Sequence, residues 1–340
     1  MIQETSYSLL HHNTFGLPAR CRRFWEYTSV SELQDALAAV HHASEGGFLH
    51  IGSGSNLLFT KDFDGTILHS AIRAIATTSQ CGTTVVVRAG GGVVWDDFVA
   101  YCVDHGYYGL ENLSAIPGEV GASAVQNIGA YGSEACDFIN EVTAIELATG
   151  KLRTFRPEDC HYAYRQSIFK NDLRRLYAVT SVSFRLSSVF QPNLSYSALQ
   201  HTLEAHRIAP SQLTAERLRQ LICDVRAAKL PDPKFIGNAG SFFINPVVDR
   251  KKFETLLSCY PGMPHYDLDD GVKIPAGWLI EQCGWRGRRL GNVGVYDKQA
   301  LVLVNYGGAE GRDIVGLSDA IRADVSAKFG IDIHPEVNFI

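Results

Sequence analysis

Two segments of this chain are composed for contact through the main chain. Between Ile116 and Gly132 four glycines stand among small, mostly apolar residues, with one amide pair, Gln126-Asn127, in the middle. Ile51-Gly52-Ser53-Gly54-Ser55-Asn56 follows a short apolar run and offers glycines, hydroxyls and an amide. Glycine weakens helices and strands, so such runs bring N–H and C=O groups close to a partner, and N–H groups in a concave turn cradle a diphosphate. A Gly-Ser-Gly-Ser turn alone is an ordinary tight turn. Two such segments together point to one extended nucleotide cofactor. Neither fits the dinucleotide fingerprint G-x-G-x-x-G, because Leu57 stands at the third glycine, and no G-x-x-x-x-G-K-[ST] loop occurs.

Three polar residues remain once core and turns are assigned. Arg165 lies in Tyr162-Ala163-Tyr164-Arg165-Gln166-Ser167-Ile168-Phe169, where aromatic neighbours can desolvate a guanidinium and aim its fork at a carboxylate. A structural ion pair is its plainer role. Ser241 follows Gly237-Asn238-Ala239-Gly240 and precedes Phe242-Phe243, so one side is open and the other excludes water; a turn serine is the alternative. Glu336, after Pro335, is either a functional or a solvated carboxylate.

The elements that must carry these groups are mixed. Ser29-Val30-Ser31-Glu32 reads as a capping box before the stripe Leu33, Ala36, Leu37 and Val40, which Gly46-Gly47 ends. Phe48 to Ile51 is a strand that delivers the first glycine segment. Thr83 to Arg88 is a strand, Val94 to Asp104 a helix closed by Gly106, and the second glycine segment follows as a loop. Val142 to Ala148 and Lys151 to Phe155 form a hairpin about Thr149-Gly150, and Tyr177 to Leu186 is another strand. Leu218, Leu221, Ile222 and Val225 form a helix stopped by Pro231 and Pro233. Ile314, Leu317, Ile321, Val325 and Phe329 form a last helix before Gly330, with a strand over 331–340.

With 340 residues, 46% apolar and 20% charged, the chain has the composition of a globular protein of two or three domains. A net charge of −5 gives no reason to seek nucleic acid. No apolar run reaches the length of a membrane span and no signal peptide opens the chain, so a cytoplasmic location is expected. Eight cysteines without C-x-x-C and twelve histidines without H-E-x-x-H predict free thiols and no metal.

In order along the chain, Asn13-Thr14-Phe15-Gly16, Gly52 to Asn56, Gly109-Leu110-Glu111-Asn112-Leu113, Ile116-Pro117-Gly118 through Gly132, Tyr164 to Phe169, Lys229-Leu230-Pro231-Asp232-Pro233, Gly240-Ser241-Phe242-Phe243 and Pro335-Glu336-Val337 closely resemble the UDP-N-acetylenolpyruvoylglucosamine reductase family. The resemblance implies an α+β fold with an FAD-binding region of the vanillyl-alcohol-oxidase type over 17–187. A substrate-loop linker over 188–213 would carry Tyr196, as in the longer form of these enzymes. A C-terminal α+β substrate-binding domain over 214–330 and a terminal strand over 331–340 would complete the chain.

The resemblance also implies an NADPH-dependent reduction of UDP-N-acetylglucosamine enolpyruvate to UDP-N-acetylmuramate, a step in making peptidoglycan, with both ligands using one cleft. Arg165, Ser241 and Glu336 would be catalytic: Arg165 meeting the charge that develops toward the substrate carboxylate, Glu336 holding or polarising that end, Ser241 giving the proton to C2. FAD, held non-covalently because neither glycine loop contains His or Cys, would rest on Gly52, Ser53, Gly54, Ser55 and Asn56, and on Ile116, Pro117, Gly118, Gly121, Ala122, Ser123, Asn127 and Gly129. Tyr131, Tyr196, Lys229, Asn245 and Gln299 would line the substrate site. Two departures from the family pattern stand out: Ile244 where a lysine is frequent, and Ala122 where some members have a hydroxyl. A monomer without nucleic-acid or membrane partners is expected. An oxidase of the same fold, or a sugar-nucleotide sensor without redox chemistry, are the competing readings.

Overall fold

The strand expected at Tyr177 to Leu186 spans Tyr177–Ser187 and is buried along most of its length, because it is the middle of a five-stranded antiparallel sheet. The order in that sheet is Leu152–Phe155, Ile139–Glu146, Tyr177–Ser187, Thr84–Gly90 and Ile75–Cys81. The computed structural model describes residues 1–42 and 46–340. The chain divides into two units: Met1–Tyr7, Cys21–Ser53 and Asp64–Arg226 form the first; Ser8–Arg20, Gly54–Phe63 and Ala227–Ile340 form the second.

The first unit also contains a four-stranded sheet in the order Ile2–Ser8, Arg20–Tyr27, Phe63–Ser70 and Phe48–Ile51. Phe48–Ile51 runs parallel to Phe63–Ser70 and sets Ile51 opposite His69. Helix α1, Val30–His42, buries the expected stripe Leu33, Ala36, Leu37 and Val40. Its capping differs from the reciprocal box. The Glu32 N–H donates to Ser29 Oγ at 3.1 Å, but the Glu32 carboxylate accepts from the Thr28 N–H at 2.7 Å and from the Met1 ammonium at 2.7 Å. One residue further out, the carboxylate satisfies both a helix-entry donor and a charge.

Helix α2, Trp95–Asp104, packs Trp95, Phe98, Val99 and Cys102 into the core of the five-stranded sheet. The second glycine segment is not a loop throughout: Val120–Gln126 forms helix α3. Its small residues let it lie close to the chain beneath, and a Cβ at Gly121 would meet the Gly91 carbonyl at 3.1 Å and that of Val179 at 3.3 Å. Close packing outweighs glycine's poor helix propensity there. Within 188–213 lies helix α4, Ser197–Ala205, whose Leu199 and Leu203 pack with Leu213, Leu218, Leu221 and Ile222. Helix α5, Ala215–Lys229, leaves the first unit at Arg226, so the division falls inside this helix rather than within 188–213. Arg219 holds α5 to α2 with a two-pronged bond to Asp96, at 2.7 and 3.0 Å.

The second unit is built on the sheet Gly237–Ser241, Val302–Asn305, Val293–Val295 and Arg289–Leu290. Helices α6, Arg250–Cys259, α7, Ala276–Gln282, and α8, Gly311–Phe329, surround its core. The expected stripe of α8 is buried, and Gly330 closes it in the left-handed conformation. Residues 13–16 belong to this unit: the Asn238 N–H donates to the Thr14 carbonyl at 2.9 Å and Asn305 Nδ2 to that of Phe15 at 2.8 Å. The terminal strand is shorter than 331–340. Only Asn338–Phe339 pairs, parallel to Leu57–Leu58, because Pro335 has no N–H and contributes one isolated bridge to Phe243.

Candidate active site

Arg165 occupies a tight turn in which Ala163 and Gln166 exchange main-chain hydrogen bonds. Its φ of 56° is left-handed, a conformation that costs an ordinary residue about 1 kcal/mol and persists where surroundings enforce it. The surroundings do. Ser167 Oγ donates to the Val125 carbonyl at 2.6 Å, Asn127 Nδ2 to the Ala163 carbonyl at 3.0 Å, and Lys170 Nζ to the carbonyl of Arg165 itself at 2.9 Å. The guanidinium donates to the carbonyls of Gly129 and Asn127 at 2.5 and 3.4 Å, with Tyr164 stacked 5.2 Å away. The second glycine segment therefore builds the seat of Arg165.

Asn127 is fully buried. Its amide donates to Glu134 and Ala163 and its Oδ1 accepts from the Cys136 N–H, so the side chain of this residue is occupied in bracing the protein. Ser123 likewise donates to the Val120 carbonyl. Tyr131, at φ 50°, meets Tyr196 edge-on with centroids 5.6 Å apart. Asn112 Nδ2 donates to the carbonyls of Tyr131 and Asn193, at 2.8 and 2.9 Å, and Asn193 Nδ2 to the Gly132 carbonyl at 3.0 Å. These amides dock the Tyr196 segment on the end of the glycine segment. Burial pushes the Tyr131 hydroxyl above its usual pKa, opposed by the half-buried Arg226 guanidinium. Arg226 and Asn193 sit in ordinary helical or loop contexts and carried no signal in the sequence, while Asn112, within a segment that carries the family resemblance, was given no site role.

Gly52 shows why two distant segments act together. A Cβ there would lie 2.9 Å from Glu119 Oε2, the carboxylate just ahead of α3. Glu119 is held by His69 Nε2 at 3.1 Å, and His69 Nδ1 lies 2.9 Å from Glu26. A lone carboxylate in a glycine run was the signal that could have marked this array. Burial works against a charged His69, but the hydrogen bonds and charges of Glu119 and Glu26 outweigh it and its pKa is raised. His50 is 2.7 Å from the Tyr27 hydroxyl, and burial lowers its pKa to about 4, leaving it neutral.

In the second unit Ser241 ends its strand with its side chain exposed, while Phe242 and Phe243 are buried. The Glu336 N–H donates to the Phe242 carbonyl at 2.8 Å, which brings Glu336 alongside Ser241. Asn56, the last residue of the first glycine segment, donates through Nδ2 to the Glu336 carbonyl at 3.4 Å and accepts from the Asn338 N–H at 3.1 Å. Asn245 Oδ1 caps the first turn of α7 through the Ala276 N–H at 2.9 Å, and Gln299 Oε1 would lie 3.4 Å from a Cβ at Gly277 in the same turn. Lys229 is exposed at the end of α5. Ile116, Pro117 and Gly118 are half-buried to exposed ahead of α3, as is Ala122 within it; Ser53 and Ser55 are half-buried.

A flavin nucleotide fits what the first unit offers. Gln126 Oε1, in the second glycine segment, is buried without a hydrogen-bond partner among the described residues, an acceptor that an N–H-bearing ligand would complete. Among those residues no cluster suits a metal ion, and no helix is long and apolar enough to cross a membrane.

A family model described as FAD binding domain matches residues 23–156. With the α+β architecture, this defines a flavoprotein oxidoreductase: an FAD-binding domain joined to a separate C-terminal domain, as the sequence implied. A second model, the C-terminal domain of UDP-N-acetylenolpyruvoylglucosamine reductase, matches residues 232–340. The chain is 54% identical to the UDP-N-acetylenolpyruvoylglucosamine reductase of Bacteroides fragilis over 99% of its own length and 100% of the relative's. It is 50% identical to that of Porphyromonas gingivalis, covering 98% of each. The chain belongs to the UDP-N-acetylenolpyruvoylglucosamine reductase family. The crystal structure of a reductase of this name from Thermus caldophilus, 20% identical, aligns with 99% of this chain and 98% of its own at a TM-score of 0.68, the same fold.

Proposed function

We propose that this flavoenzyme uses NADPH to reduce UDP-N-acetylglucosamine enolpyruvate to UDP-N-acetylmuramate, in the cytoplasm and as a monomer, with the two ligands using one cleft in turn. FAD, when bound, supplies the hydride that reaches C3 of the enol ether. Negative charge then grows at C2 and spreads into the carboxylate, where a positioned cation and donors lower the barrier. Arg165 is assigned to that carboxylate, Glu336 to holding the same end, and Ser241 to proton delivery at C2. A serine hydroxyl is a weak acid, so its usefulness comes from placement. Lys229 is assigned to the UDP diphosphate, with Tyr131, Tyr196, Asn245 and Gln299 lining the substrate.

The observation that carries this reading is the seat of Arg165. A strained turn is fastened by Ser167 and Asn127 to the segment assigned to FAD, which supports a guanidinium held ready beside the flavin. The test is anaerobic: NADPH should bleach the bound flavin, and the enolpyruvyl sugar nucleotide should restore its colour. Reoxidation by oxygen alone would leave an oxidase, and a colourless protein that cannot be reconstituted with FAD would leave a sensor.

A further inference from the structure

We propose that Glu134 is a positioning residue for Arg165, acting through the two main-chain carbonyls that receive the guanidinium. The proposal rests on the reading of Arg165 given above and extends it to a residue that touches neither the substrate nor the cofactor in that reading.

Two carbonyl acceptors of Arg165 are attached to Glu134. The first, Asn127, donates its amide to Glu134 Oε2 at 2.7 Å. The second, Gly129, is the antiparallel partner of Glu134 in the short ladder Gly129–Ala130 with Ser133–Glu134. The closeness is measurable at one point: a Cβ at Gly129 would stand 2.9 Å from Arg165 Nη1 and 3.0 Å from Glu134 Cγ. Guanidinium and glutamate side chain thus approach the same α-carbon.

Glu134 is itself fixed. It caps the turn Ala135–Asp137, its side chain accepting from the Asp137 N–H while its own N–H donates to Asp137 Oδ2 at 2.8 Å. A short, rigid acceptor on a capped turn sets the left-handed Asn127 (φ 45°), and Asn127 in turn reaches the Ala163 carbonyl in the Arg165 turn. Arginine loses much rotamer freedom when immobilised. A frame that fixes its acceptors beforehand keeps the fork at one angle, which matters when a substrate carboxylate must be met in a particular geometry.

The experiment compares Glu134→Ala, Glu134→Gln, Arg165→Ala and the double variant E134A/R165A as FAD-loaded proteins, reading the two half-reactions separately. E134A is expected to retain FAD and to be reduced by NADPH within about twofold of the parent, while reoxidation by the enolpyruvyl sugar nucleotide slows by about tenfold or more, the scale of a small misplacement. E134Q keeps an acceptor oxygen for Asn127 and is expected within about threefold in both halves. In the R165A background, removing Glu134 should add little, because the two act as one unit. FAD loss or equal slowing of both halves in E134A would show a general structural role and overturn the proposal. So would parent-like reoxidation by E134A when R165A is slow. Parent-like reoxidation by R165A itself would overturn the reading of Arg165 and, with it, any role for Glu134.

Discussion

The imidazole of His69 lies 3.1 Å from the Glu119 carboxylate, and that carboxylate lies against Gly52, so one buried pair joins the strand beneath the first glycine segment to the start of the second. Glu26 completes the array on the far ring nitrogen, 2.9 Å away.

This arrangement predicts a pH dependence of stability. Because the folded pKa of His69 is raised above 6.5, its stabilisation is fully present below the unfolded value and is lost as pH rises through the folded one. His69→Gln leaves two carboxylates without their cation and should cost about 3 kcal/mol near pH 6, with a smaller difference from the parent at alkaline pH. Thermal melts of both proteins across that range check the sign; a gap that widens with pH refutes it.

Gly54 should not tolerate a side chain. Its φ is +74°, and a Cβ would stand 2.0 Å from the His12 carbonyl oxygen. Gly54→Ala should therefore cost more than about 2 kcal/mol. Gly82, at φ +58° with open space around it, is the control: Gly82→Ala bears only the backbone strain, about 1 kcal/mol. Denaturation midpoints of the two variants separate clash from strain.

Arg219 and Asp96 form a partly buried, two-pronged pair. Arg219→Ala should destabilise by about 2 kcal/mol, and Arg219→Lys should recover less than half, because a single ammonium cannot make the paired contact. Hydrogen exchange should show faster opening of α5 in both variants.

Ser241→Ala should slow flavin reoxidation by the enolpyruvyl substrate about a hundredfold or more while leaving reduction by NADPH nearly intact, since the proton is needed only in the second half. Stopped-flow traces of each half, recorded anaerobically, decide it. Equal slowing would remove Ser241 from proton delivery.

Lys229→Ala should weaken NADPH and the UDP-sugar alike, by about tenfold each, the worth of one charge-assisted bond to a phosphate. Calorimetric titration of both ligands tests it; unchanged affinity for both takes Lys229 out of the diphosphate site.

Much of the fold was legible because its signals are local. The periodic stripes of α1, α5 and α8 and the runs at Tyr177–Ser187 and Phe48–Ile51 appear where apolar spacing put them. Helix α3 was hidden, since its glycines read as breakers until the chain beneath it is known, and the terminal strand was overdrawn because apolar alternation ignores the donor that Pro335 lacks.

By itself, the order of residues determined the family, the presence of an FAD-binding domain and the segments that carry Arg165, Ser241 and Glu336, because residue type and spacing are properties of the chain. Only the folded structure decided that the Asn127 side chain braces protein, that Glu134 sits behind the acceptors of Arg165, and that His69 joins Glu26 to Glu119. Hydrogen bonds saturate and charges interact over ångströms of space, and partners that only the fold brings together leave no mark in the spacing of either.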